Sequence, residues 1–194
     1  MKQLARLSVV CLLFLGLTLC VAGRANTAPR IIKARADIQG APGSGISGEA
    51  ILIQTDDDGI LPTVKVLIIV RGLAPHTTHG LHIHEVGSCA DTTVPFGGAG
   101  GHFDPGPFGQ SNPDTNHPYH MGDLTNLEAN GFGVAILQYT TSRITLSPSP
   151  VSVFDANGSA VIVHGNPDQG ITGAAGSGVS GGPRIACGVI ELID

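Results

Sequence analysis

Regular structure in this chain is confined to short runs of branched apolar residues, each ended by glycine, proline or an Asx–Gly pair. The runs "IIKARADI", "GEAILIQ" and "TVKVLIIVRGL" are separated by "QGAPGSGIS" and "DDDGILP". Runs of this length and spacing predict antiparallel strands of a sandwich or barrel. No long stretch carries the three-to-four-residue apolar period of a helix. With 28 glycines and 13 prolines the chain is too rich in turn formers for a helical bundle, and at 42% hydrophobic residues it is too apolar for disorder. "HGLHIHEV", the hairpin "DLTNLEANGFGVAILQY" turning at Asn130-Gly131, "AVIVHG" and "IACGVIELI" follow, for eight expected strands in an all-β fold.

The amino terminus reads differently. "MKQLARLSVVCLLFLGLTLCVAGRA" has a basic start, an apolar run from Leu7 to Ala22, then small residues. This is the pattern of a secretory leader over residues 1–25, cleaved after Ala22, Ala25 or Ala28, with one domain over 26–194. The apolar run is short for a membrane span, and bulky Leu19 before Cys20 argues against lipid attachment there. The expected location is periplasmic or extracellular. Cys11 and Cys20 leave with the leader; Cys89 and Cys187, the pair remaining in an exported chain, predict one disulfide closing a loop of about 100 residues. Loss of Lys2, Arg6 and Arg24 takes the formal charge from −5 to about −8. With no basic cluster, nucleic acid and anionic membranes are poor partners.

Two stretches resist a strand reading, 87–122 and 165–183. A loop as long as the first is normally functional or disordered, and this one holds His102, His117 and His120, with Asp123 directly after it. Just before it, "HGLHIHEVGSC" sets His82 and His84 two positions apart. Strand side chains two apart share a face, with Cα atoms about 7 Å apart, so both rings can reach one metal ion. Any one of the eight histidines has a dull explanation. Together, His-x-His on a strand, a His/Asp-rich loop and His164 at a late strand end point to two adjoining metal sites.

"HGLHIHEVGSC", "GGHFDP", "HMGDL", "VIVHGNPD" and "PRIACGVIEL" resemble, in order, the signature segments of the Cu/Zn superoxide dismutase family, in its exported bacterial branch. The likeness runs from about Ile31 to Ile193. It implies an eight-stranded Greek-key β-barrel with two long functional loops, copper and zinc as cofactors, and superoxide as substrate. Carried over position by position, it assigns copper to His82, His84, His102 and His164, with His102 bridging to zinc. All-imidazole ligation suits copper. Zinc would take His102, His120 and Asp123, a closed shell completed by one more imidazole. The family places that fourth ligand several residues further upstream; here the nearest candidate is His117, in "HPYH". Asp168 matches the carboxylate that orients ligands of both metals. His79 matches a structural histidine, and His76 reads as exposed loop.

Arg184, just before "IACGV", matches the active-site arginine. The second loop, 165–183, has no Lys or Arg and only Asp168 as an acid, so steering of the anion should be shallow. The alternative reading is a non-catalytic copper- and zinc-binding protein on the same barrel. A zinc hydrolase needs a general base beside an open metal, and Glu85, the nearest acid, should face away from His84. The resemblance leaves monomer and homodimer both open.

Overall fold

Residues 30–55, 62–106 and 109–193 are described by the structure, a computed structural model. The predicted leader, with Cys11 and Cys20, lies outside them. Among the described residues the strands are β1 (Ile31–Gly40), β2 (Ser47–Thr55), β3 (Thr63–Arg71), β4 (Thr78–His79), β5 (Leu81–His84), β6 (Leu127–Glu128), β7 (Ala135–Thr141), β8 (Ala160–His164) and β9 (Arg184–Ile193). One 3-10 turn, Gly97–Ala99, interrupts the first long loop.

The first three strands alternate as the sequence pattern requires. Ala34, Ala36 and Ile38, then Ala50 and Leu52, then Val64, Val66, Ile68 and Val70 point inward, against exposed Arg35, Asp37 and Lys65. They build one core with Leu81, Ile83, Phe103, Leu127 and Ile144. Full burial of each large apolar side chain contributes on the order of 1.5–3 kcal/mol.

A seven-stranded sheet runs β5-β8-β9-β1-β2-β3-β7, and a two-stranded one pairs β4 with β6. The expected fourth strand is therefore split at Gly80, whose amide donates to Asn166 O and whose carbonyl accepts from the His164 amide, both at 2.8 Å. Its first half pairs β6 and its second half β8. An Ala129–Ala135 bridge joins β6 to β7. That closes the barrel; with β4 and β5 taken as one interrupted strand, the count is the eight expected. The order is Greek-key: β8 follows β7 in sequence but lies across the barrel, beside β5.

The hairpin at Asn130 forms, by a different turn from the Asn-Gly one. The Gly133 amide donates to Asn130 O at 3.0 Å, and Gly133, at φ 68°, is the left-handed residue. Asn130 Oδ1 accepts from the Phe132 and Val134 amides. The asparagine side chain substitutes for turn hydrogen bonds, and five residues, 130–134, separate the bridged pair Ala129 and Ala135.

Candidate metal centre

Every residue of β5 is buried, on both faces. Leu81 and Ile83 point into the barrel, as alternation demands, and His82 and His84 point out. Strand β8 does the same, with Val161 and Val163 inside. The outer face is covered by the first long loop, which packs Phe96 and Ala99 on Ala160, Ile162 and Cys187, with Cys89 alongside. The predicted disulfide, Cys89–Cys187, staples that cover to β9.

The loop reaches the histidines along the free edge of β5. Phe103 N donates to Ile83 O, and Ile83 N to Gly122 O, both at 2.9 Å. These contacts set His102 opposite His84 and Asp123 opposite His82. Gly122 is required at this approach, since a Cβ there would lie 2.3 Å from Ile83 O. At the end of β8, Gly182 O accepts from His164 Nδ1 at 3.0 Å, and Gly100 O accepts from His84 Nδ1 at 3.0 Å.

These bonds choose which ring atoms remain free. His82 Nδ1, His84 Nε2, His102 Nε2 and His164 Nε2 are buried and have no hydrogen-bond partner. The four residues offer ligand atoms that all lie within 4.8 Å of one another. An unpaired buried polar atom costs about 1–3 kcal/mol, so four converging ones call for an explanation. A cation that favours imidazole nitrogen supplies one.

The second group gathers round Asp123. Its carboxylate lies 2.7 Å from His102 Nδ1, 2.9 Å from His120 Nδ1 and 3.2 Å from His117 Nδ1. His102 thus turns one nitrogen to each group. His117, although displaced along the chain relative to the family pattern, is fully buried at this point. The second set of residues whose ligand atoms all lie within 4.8 Å of one another is His82, His102, His117 and Asp123, with His82 in place of the expected His120. His82 has one free nitrogen, Nδ1, already part of the first group, because its Nε2 donates to Asp168. His120 Nδ1, by contrast, faces Asp123 at 2.9 Å.

Asp168 joins the two groups. Its Oδ2 lies 3.0 Å from His82 Nε2 and its Oδ1 2.6 Å from His117 Nε2. Partners of this kind fix tautomer and ring orientation. His79, by contrast, uses both nitrogens elsewhere, on His164 O and Thr77 Oγ1. His76 is exposed, and Glu85 accepts from the Gly101 amide.

Burial draws His82, His84 and His164 below the ordinary histidine value, the last two far below it. Burial, with the neighbouring His82, takes His102 down to about 3. All four are neutral imidazoles near pH 7, the form that binds metals. Asp123 and Asp168 are held well below the carboxylate range: burial opposes this, and the histidine hydrogen bonds overcome it. Burial also opposes charge on His117, but Asp123 and Asp168 raise it to about 9. In the metal-free protein His117 carries the proton that a cation must displace.

Arg184 opens β9 beside the first group. Its Nη1 donates to Phe96 O at 2.7 Å and its Nη2 to Gly100 O, the carbonyl that also holds His84. Burial lowers its pKa, with Glu85 opposing. A cavity of about 400 Å3 leads from the surface past Asn112, Asp114, Ser180 and Gly182 to His164 and Arg184. Asp114 and Arg143, whose Nη1 donates to His120 O at 2.6 Å, were not singled out by sequence; each looks there like an ordinary loop residue.

Fold and site together define a β-barrel with two adjoining imidazole-rich metal cradles sharing His102. The profile of the family described as "Copper/zinc superoxide dismutase (SODC)" matches residues 32–190, and the chain belongs to that family. It is 34% identical over 163 residues to Superoxide dismutase [Cu-Zn] 1 of Aquifex aeolicus, covering 82% of this chain and 88% of that one. It is 37% identical over 140 residues to Superoxide dismutase [Cu-Zn] of Deinococcus radiodurans, covering 67% and 71%. A solved double mutant of a SOD-like protein from Bacillus subtilis superposes with a TM-score of 0.59 at 28% identity, covering 80% of this chain and 95% of that one. The family's cofactors, copper and zinc, match the two groups of residues able to hold metal ions. No helix among the described residues is long and apolar enough to cross a membrane.

Proposed function

We propose that the protein is an exported superoxide dismutase, residues 26–194 being the mature domain. The observation that carries this reading is the convergence of four partnerless ring nitrogens, His82 Nδ1, His84 Nε2, His102 Nε2 and His164 Nε2, beside the half-buried Arg184. These atoms would hold copper, while the Nδ1 atoms of His102, His117 and His120, with Asp123, would hold zinc. Bound there, copper supplies the one-electron oxidation of one superoxide ion to oxygen and the one-electron reduction of another, which with two protons gives hydrogen peroxide.

The chain's own residues do the rest. Arg184, fixed by the Phe96 and Gly100 carbonyls, draws the anion down the cavity and orients it. His102 Nε2, when not engaged as a ligand, would take up a proton from solvent and deliver it to the reduced oxygen; water supplies the other. Asp168 keeps His82 and His117 in one tautomer, and the first loop excludes bulk water from the imidazoles. The test is metal content and superoxide consumption of the oxidised mature protein, beside His117→Ala. Copper and zinc near one each, rapid consumption, and loss of zinc in the variant are expected. Copper uptake without superoxide consumption would leave a non-catalytic metal-binding barrel. Zinc alone would refute the copper assignment.

A further inference from the structure

The second loop cannot be fastened by lysine or arginine of its own, since 165–183 contains neither. Its first part is pinned by hydrogen bonds. Thr172 Oγ1 donates to His117 O at 2.6 Å, and Asn126 pairs with the backbone of Asp168 through two bonds of 2.9 Å. The remainder is glycine-rich, with Gly176, Gly178, Gly181 and Gly182 all at positive φ, the composition of a segment with much conformational freedom to lose.

We propose that Asp114, in the first loop, is the positioning residue that fastens this segment and through it sets His164. The side chain is almost fully buried, at 4% exposure, and forms no ion pair among the described residues. Its Oδ2 accepts from the Gly178 amide at 3.0 Å, and its Oδ1 from the Ser180 amide at 3.1 Å and the Ser180 hydroxyl at 2.9 Å. Its carbonyl accepts from the Gly173 amide at 2.8 Å. Bonds to a charged acceptor are about twice as strong as neutral ones, and this carboxylate commits both oxygens to one short stretch.

That stretch leads directly to the site. Ser180 lies opposite Asp168 across a backbone bridge. Gly181 packs so closely that a Cβ would come 2.8 Å from His164 Cβ, and Gly182 O accepts the hydrogen bond from His164 Nδ1. Freeing 173–182 therefore frees the carbonyl that keeps His164 Nε2 pointed at its neighbours, and it widens the cavity that Asp114 lines. The effect on the copper ligand rests on the function proposed above; the fastening itself does not.

The test uses the mature protein and Asp114→Asn, Asp114→Ala and Ser180→Ala. In the metal-free state, amide hydrogen exchange at Gly178 and Ser180 should accelerate tenfold or more in both Asp114 variants and less in Ser180→Ala. Exchange at Val163 and Ile190 should not change. In copper-loaded protein, the Cu(II) electron paramagnetic resonance hyperfine splitting should shift, because the His164 ring is no longer held. Unchanged exchange in Asp114→Asn overturns the proposal, and so does faster exchange with an unshifted spectrum. Should Asp114→Ala not fold, Asp114→Asn and Ser180→Ala decide. A wild-type chain that binds no copper sinks the functional reading, and exchange alone then decides the fastening.

Discussion

Replacing Asp168 with alanine should weaken copper and zinc binding together. The side chain spans the two groups with one oxygen each, 3.0 Å from His82 Nε2 and 2.6 Å from His117 Nε2. Alanine leaves two buried N–H groups without acceptors, at about 1–3 kcal/mol apiece. It also releases the tautomer choice of a ring in each cradle. Loss of such a partner lowers metal affinity about 10- to 100-fold, or about 1.4–2.8 kcal/mol for each metal. Both estimates fall in the same range, and both act twice because one carboxylate serves two rings. Competition against a chromophoric chelator, run separately with each metal, measures the effect. Asp168→Asn keeps one acceptor oxygen and should restore one metal but not the other. If both affinities in Asp168→Ala stay within twofold of wild type, or only one falls, Asp168 does not couple the sites.

Four other outcomes follow from the geometry. Cys89→Ser with Cys187→Ser removes a cross-link of sequence separation 98, so urea unfolding of the metal-free protein should show a loss of up to about 4.7 kcal/mol; a loss below about 1 kcal/mol would contradict the chain-entropy account. His117, raised from 6.5 to about 9 in the metal-free protein, stabilises the fold fully below pH 6.5 and loses that contribution as pH rises through 9. The urea midpoint should therefore fall across that window while zinc affinity climbs, by about tenfold per pH unit; a flat zinc profile counts against His117 as a ligand. Arg184→Lys loses the fork that grips Phe96 O and Gly100 O, so superoxide consumption should drop with copper content unchanged; equal activity would remove the arginine from the reaction. Finally, with no Lys or Arg in 165–183, the rate should fall only gently as ionic strength rises, and a steep fall would show steering charges elsewhere.

Much of this site could be read from side-chain letters. His82 and His84 were legible because alternation puts them on one face of a strand whose other face, Leu81 and Ile83, is core. His102, His117, His120 and Asp123 stood out by their density in a stretch with no periodicity, and likeness to a family then divided them between the two sites. What stayed hidden belongs to the backbone. Gly100 O and Gly182 O decide which nitrogen of His84 and His164 is free, and a carbonyl has no letter of its own. Asp114 reads as a turn aspartate after Pro113, because its partners Gly178 and Ser180 are more than sixty residues away. The break at Gly80 was likewise invisible, since a glycine inside an apolar run does not announce that its two flanks pair with different neighbours.

Strand β9, the last among the described residues, lies between β1, the first, and β8. Until Arg184–Ile193 is available, β1 and the His164 strand have no common neighbour, the guanidinium is missing, and Cys89 has no mate. The barrel therefore cannot close strand by strand in the order of the sequence. A growing chain is an open sheet with bare margins, the kind of surface that sticks to other copies. A premature stop before Arg184 would leave the barrel unclosed between β1 and β8.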